Sequence, residues 1–216
     1  MSAAPKDSYR ALVVDYGGVL TSPLQDALTA FSNELGIELQ DLVRAVLPLY
    51  SGGADELVAR YETGQMTDEE FSHELAARFA SITGAPVDPE RLVNRMFAGV
   101  NLEESMLDAV VAARRSGLKT ALLSNSWGLA LYPRERFAEI FDVVVISGEV
   151  GMRKPDEAIY RLTAERLGLP PEACVFVDDH PGHLAAATDL GMTAILHRSP
   201  AETITELSTL LHLSMS

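Results

Sequence analysis

The sequence predicts an α/β protein, a doubly wound parallel sheet of Rossmann-like plan with an α-helical cap inserted after the first strand. Three observations carry that prediction. Residues 11–15 (ALVVD) are an apolar, β-branched run of the kind that forms a strand covered on both faces. From residue 103 onward, short apolar runs alternate with helical patterns, the rhythm of a parallel sheet wound on both sides. Between the first strand and the second lie about 75 residues with no strand signal, where a simple crossover needs about a dozen. The excess divides the chain into an α/β core, residues 1–21 and 99–216, and a helical cap, residues 22–98.

The first strand ends in a carboxylate, Asp15, and after Tyr16 come Gly17 and Gly18. Glycine permits a sharp turn and close backbone approach to a ligand. Open α/β sheets bind ligands beyond the carboxyl ends of their strands, so Asp15 stands where a catalytic group would be placed. An aspartate that opens a turn is the plainer explanation of the same residue. Thr21-Ser22-Pro23 then predicts a helix start, with Ser22 as cap and Pro23 in the first turn.

Leu24, Leu28, Phe31 and Leu35 recur at helical spacing, and Gly36 closes that helix. A second helix spans 38–47 and stops at Pro48. A third spans 54–62 and closes at Gly64. Thr67, three residues before Glu70, forms a capping box ahead of the apolar positions Phe71, Leu75, Ala76 and Phe79. Residues 89–97 make a fifth helix.

The α/β half follows. A helix over 104–115 stops at Gly117, and a strand over 118–123 runs into Ser124-Asn125-Ser126. A short helix over 134–140 precedes a strand over 142–146. Lys154 stands at the start of a helix over 155–167. A strand over 173–178 ends in the pair Asp178-Asp179. A helix over 182–190, a strand over 193–196 and a helix over 201–211 complete the chain.

Composition narrows the function classes. The formal net charge of -14, from 31 acidic and 17 basic residues, disfavours non-specific binding to nucleic acid or an anionic membrane. A small anionic substrate is still compatible, since a few local cations hold it. With 47% apolar residues the chain is globular. One cysteine, Cys174, excludes a disulfide framework and reads as a buried small hydrophobe. Residues 1–9 lack the apolar core of a secretory signal, so a cytoplasmic location is expected. The oligomeric state is open.

Polar residues thus stand at three strand exits: Asp15, Ser124 with Asn125, and Asp178 with Asp179. Strands of a parallel sheet exit at one edge, so these residues can converge. Gathered carboxylates repel, and a hard cation such as Mg²⁺ relieves the repulsion. Lys154, Ser124 and the backbone N–H of Asn125 supply positive charge and donors for a phosphate or carboxylate. An aspartate beside a metal can attack phosphorus and form an aspartyl-phosphate. Taken singly, each piece has a structural explanation: a turn for Ser124-Asn125-Ser126, a helix cap for Asp178-Asp179, an exposed loop for Lys154.

Together the motifs resemble the haloacid dehalogenase-like (HAD) hydrolase superfamily, in the branch with a helical cap after the first strand. Asp15-Tyr-Gly-Gly-Val-Leu20, Leu123-Ser-Asn125, Gly151-Met-Arg-Lys-Pro-Asp156 and Val177-Asp-Asp179 are similar to its four motifs, in order. Glu62-Thr-Gly-Gln-Met-Thr-Asp-Glu-Glu-Phe71 is similar to a cap segment of that branch. Residues 148–196 are similar to the phosphatase domain of soluble epoxide hydrolases. The resemblance implies a phosphatase acting on a small phosphorylated metabolite. It implies Asp15 as nucleophile and magnesium ligand, the Gly17 carbonyl as a further ligand, and Ser124 and Asn125 on the phosphoryl oxygens. It also implies Lys154 as the group that stabilises charge and positions Asp15, Asp179 as direct metal ligand, and Asp178 acting through water or Lys154.

One position departs from the pattern. Phosphatases of this type usually carry a second aspartate where this chain has Gly17. That residue protonates the leaving oxygen, and positioned acid–base catalysis of this kind contributes about 10²–10⁴-fold. Slow hydrolysis, substitution by His180 or His183, and a non-catalytic phospho-ligand-binding role are each compatible with Gly17. So is a dehalogenase, since halide leaves unprotonated, although the paired aspartates favour phosphoryl chemistry. Tyr16, Trp127 and Tyr132 are candidates to line the pocket. Arg44 and Arg60 are candidates to meet an anion from the cap, where solvated helix faces also carry arginines.

Overall fold

The computed structural model describes residues 9–46 and 56–213. Five strands form one parallel sheet: β1 (Ala11–Val14), β2 (Lys119–Ser124), β3 (Val143–Ile146), β4 (Cys174–Asp178) and β5 (Thr193–Leu196), in the order β3-β2-β1-β4-β5. β1 is central, paired in register with β2 (Val14 opposite Leu122) and β4 (Val14 opposite Val177). All four of its residues are buried. Because side chains alternate along a strand, Leu12 and Val14 join one apolar cluster and Ala11 and Val13 the other. The first cluster packs α6 (Glu104–Arg115), α7 (Arg134–Ile140) and α11 (Pro200–Leu211) on one face. The second packs α9 (Glu157–Leu167) and α10 (Pro181–Asp189) on the other. The sheet is therefore doubly wound, as its apolar strands require.

The residues between β1 and β2 begin with α1 (Leu24–Leu35), α2 (Leu39–Val46), α3 (Glu56–Glu62), α4 (Asp68–Thr83) and α5 (Leu92–Met96). These helices enclose an apolar cluster of their own, including Phe31, Leu57, Phe71, Phe79 and Met96. The capping box at α4 forms as the sequence predicts, with the Thr67 N–H donating to the Glu70 carboxylate at 2.8 Å and the Glu70 N–H to Thr67 Oγ1 at 3.2 Å. Pro48, and the side chain of Arg44, lie outside the described residues.

Ser22 does not cap α1. Pro23 occupies the position before the helix, without a side-chain hydrogen bond. Ser22 instead ties the two connecting segments together: its N–H donates to the Asn101 carbonyl at 2.7 Å and its Oγ accepts from the Asn101 N–H at 3.2 Å. An antiparallel bridge between Thr21 and Leu102 and the bond from Glu103 N–H to the Leu20 carbonyl (2.9 Å) extend that tie.

One further helix, α8 (Ser147–Val150), follows β3 directly and was not predicted by the apolar pattern. Cys174 is fully buried and its thiol is pushed up to about 11 by burial, consistent with a packing role. Among the described residues no helix is long and apolar enough to cross a membrane.

Candidate active site

The parallel register carries three strand exits to one edge of the sheet. The Asp15 N–H donates to the Val177 carbonyl at 2.9 Å, which extends the β1–β4 ladder past the strand and sets Asp15 alongside Asp178. Carboxylate oxygens of Asp15, Asp178 and Asp179 all lie within 4.8 Å of one another. Lys154 reaches this group from the loop between α8 and α9. Its Nζ lies 2.8 Å from Asp15 Oδ1 and 2.6 Å from Asp178 Oδ2, with its side chain fully buried. Asp178 also accepts from the His180 N–H at 2.8 Å and faces His183 Nδ1 at 3.1 Å.

One lysine does not neutralise three converging carboxylates, of which Asp15 and Asp178 are buried and Asp179 reaches solvent. Burial raises the Asp15 pKa; Lys154 opposes the rise, and Asp178 and Asp179 add to it. Asp179 is pushed up to about 6 by burial and then by Asp178. Burial acts on Asp178 in the same direction, but Lys154 and His183 outweigh it and hold that group below the ordinary carboxylate range. Burial disfavours the ammonium of Lys154, yet Asp15 and Asp178 keep it protonated. Charge thus sorts onto a Lys154–Asp178 pair and leaves Asp15 and Asp179 undercompensated. An all-oxygen donor set with excess negative charge fits a hard divalent cation. The backbone leaves room for the Asp179 carboxylate in that set: a Cβ on Gly18, at φ +74°, would stand 2.5 Å from Asp179 Oδ2.

Ser124 ends β2, and its Oγ lies 2.9 Å from the buried Tyr132 hydroxyl. The Asn125 side chain is held by the backbone of Lys154: its Oδ1 accepts from the Lys154 N–H at 2.8 Å and its Nδ2 donates to the Lys154 carbonyl at 3.0 Å. That reciprocal pair fixes the β2 exit to the lysine loop.

The two histidines have structural partners. His180 caps α10, its ring accepting from the Gly182 N–H at 3.1 Å. His183 sits on Asp178, and burial lowers its pKa despite that partner.

These residues border a cavity of about 120 Å³ that Asp15, Gly17, Lys154 and Asp179 share with Glu62 and Arg153. Gly17 and Ser124 also border a neighbouring cavity of about 250 Å³, whose other walls include Tyr16, Leu24, Phe97, Trp127 and Tyr132. Arg60 lies on an exposed helix face, away from both.

Glu62 and Arg153 carry no role in the sequence reading. Glu62 Oε2 lies 3.0 Å from Arg153 Nη1 and 3.4 Å from Asn125 Nδ2, and its carboxyl is pushed up to about 7 by burial, against Arg153 and Lys154. The available signal was positional: Val58 and Glu62 are four residues apart on the buried face of α3.

A profile described as "haloacid dehalogenase-like hydrolase" matches residues 9–191. Mouse acyl-CoA dehydrogenase family member 10 is 30% identical over 214 residues, covering 94% of this chain and 19% of that protein. Pig bifunctional epoxide hydrolase 2 is 32% identical over 213 residues, covering 92% of this chain and 38% of that protein. The chain therefore spans well under half the length of these two relatives. Over a shorter stretch of 74 residues, phosphoserine phosphatase of Thermus thermophilus is 42% identical, covering 32% of this chain and 29% of that protein. Among solved structures, a HAD family enzyme of Bacteroides thetaiotaomicron in complex with magnesium and inorganic phosphate aligns with a TM-score of 0.61 at 19% identity. That alignment covers 88% of this chain and 94% of the other, and it bears on the fold alone.

Proposed function

Because the chain belongs to the haloacid dehalogenase-like hydrolase family, we propose that it is a magnesium-dependent phosphatase acting on a small phosphorylated metabolite through an aspartyl-phosphate. Residues 22–98 act as its cap. The observation that carries this reading is the convergence of Asp15, Asp178 and Asp179 within 4.8 Å around the buried Lys154. Magnesium would be held by Asp15, Asp179 and the Gly17 carbonyl, with Asp178 acting through Lys154. When bound it supplies Lewis-acid charge for the phosphoryl oxygens.

The chain's own groups do the rest. Lys154 keeps Asp15 aimed and offsets charge on the transferring phosphoryl group. Ser124 and the Asn125 backbone hold the phosphoryl oxygens. An Asp15 carboxylate oxygen attacks phosphorus, the bond from phosphorus to the ester oxygen breaks, and the leaving oxygen takes its proton from water. Water then attacks the phosphorus, releasing inorganic phosphate and a proton and restoring Asp15. The paired aspartates support phosphoryl transfer over halide displacement; chloride release from 2-haloacids without added metal would reverse that choice. Hydrolysis of p-nitrophenyl phosphate and a panel of phosphorylated metabolites, dependent on Mg²⁺, tests the reading.

Gly17 supplies a second test. Its backbone is outside the left-handed region, and a Cβ there meets only Leu24 Cδ1, at an ordinary 3.5 Å. Gly17→Asp is therefore expected to fold and to provide the missing acid. It should raise kcat about 10²-fold for alkyl phosphates, whose alkoxide needs a proton, and little for p-nitrophenyl phosphate. No gain on alkyl phosphates in a folded variant would mean that another group already donates.

Gly18→Ala should act in the opposite direction. The methyl group displaces the Asp179 carboxylate and strains a positive-φ position. Mg²⁺ affinity, measured by titration calorimetry, should weaken about 10-fold or more, the range for disturbing groups that orient metal ligands. Unchanged affinity would remove Asp179 from the ligand set.

A further inference from the structure

Resting on that reading, we propose that Glu62 is a positioning residue that couples docking of the cap to alignment of Lys154, and through it of the nucleophile. Glu62 ends α3 on the cap, yet its side chain is only 6% exposed and its partners belong to the core. Glu62 Oε2 lies 3.0 Å from Arg153, the residue before the lysine, and 3.4 Å from Asn125 Nδ2. The same Asn125 amide is clamped to both backbone groups of Lys154, at 2.8 and 3.0 Å. Lys154 Nζ in turn holds Asp15 at 2.8 Å. One carboxylate on the cap thus reaches the nucleophile through a continuous chain of polar contacts.

The seam around Glu62 is tight enough to transmit position. The Ser147 hydroxyl donates to the Glu62 carbonyl and accepts from the Ser126 N–H at 2.7 Å. A Cβ on Gly64 would collide with the Gly148 carbonyl, so cap and core backbones touch there. Trp127, the sole tryptophan, sits in this seam. Its ring lies 5.4–6.4 Å from those of Tyr61, Phe71 and Phe97, all on the cap side. Removing one partner of a buried ion pair leaves the other uncompensated. Without Glu62, the Arg153 guanidinium would swing toward the anion-binding cavity that it borders.

The test joins kinetics to Trp127 fluorescence. Glu62→Gln preserves shape, so the variant should fold. It should lower kcat for p-nitrophenyl phosphate about 10–100-fold, the range for groups one step removed from the site. KM should stay within about 3-fold, and Trp127 emission should move to the red with greater acrylamide quenching as the seam loosens. Arg153→Gln should do the same, and the Glu62→Gln/Arg153→Gln double variant should be no worse than either single, because the two act as a unit. Three results would overturn the proposal: kcat within about 2-fold of the parent, single effects that multiply in the double, or lost kcat with unchanged Trp127 emission. A parent without phosphatase turnover would sink the functional reading alone. Trp127 emission in Glu62→Gln, read with and without inorganic phosphate, would still decide whether Glu62 docks the cap.

Discussion

Asp15→Asn is expected to remove turnover, with kcat for p-nitrophenyl phosphate down about 10⁴-fold or more, as for loss of a covalent nucleophile. An amide in that place is isosteric but does not attack phosphorus. The same substitution should leave stability unchanged or raise it. Asp15 is buried, its pKa is raised by burial, and Lys154 retains Asp178 as a partner at 2.6 Å. Removing an undercompensated buried charge relieves a desolvation cost. A variant that loses activity while its Tm holds or rises separates a chemical role from a structural one. Activity above about 1% of the parent in purified variant would point to a different nucleophile.

Lys154→Met should produce the second large effect, on stability as well as rate. The lysine is fully buried between two carboxylates. Removing it leaves Asp15 and Asp178 facing each other without a cation, and breaking a buried pair in this way costs about 3–5 kcal/mol. For a chain of this size that corresponds to a fall in Tm of about 6–20 °C by calorimetry. Turnover should fall with it, since the nucleophile loses its guide. The double variant Lys154→Met/Asp178→Asn should recover part of the loss, because the orphaned charge is gone. A Lys154→Met protein as stable as its parent would mean that the observed pair contributes no stability.

The same pair sets an acid limb. Asp178 is held below the ordinary carboxylate range by Lys154 and His183 against burial. Its contribution is therefore fully present above that range and is lost as falling pH protonates it. Urea unfolding of the parent between about pH 5 and pH 2 should show that limb, and Asp178→Asn should flatten it.

Much of this architecture is legible in the chain because its signals are local. Residues 11–15 read as a buried strand from their apolar run, and the observed β1 stops only one residue earlier. The capping box at Thr67 and the glycine stop at Gly36 are short-range chemistry, and they start and end helices where expected. The convergence at the sheet edge was legible for a topological reason: parallel strands exit on the same side. What escaped depends on contacts between distant residues. Ser22 looks like a helix cap until Asn101 arrives from the far end of the insertion to take its hydrogen bonds. Glu62 and Arg153 stand inside two separate motif segments of the sequence, and nothing local pairs them until the fold brings the two together. The helix after β3 is one turn long and has no periodicity to detect.

The tie between Ser22 and Asn101 has a consequence for how the protein is assembled. The chain departs from the core after β1 and re-enters it ahead of α6 at neighbouring backbone groups, so to the core the whole detour is equivalent to a short loop between β1 and α6. The entropy of closing it is met by the detour's own folding, around its own apolar centre. β1 and β2 can then find their register through α6 alone, as in an ordinary strand-helix-strand crossover, and a graft of different size at this point would leave that register untouched.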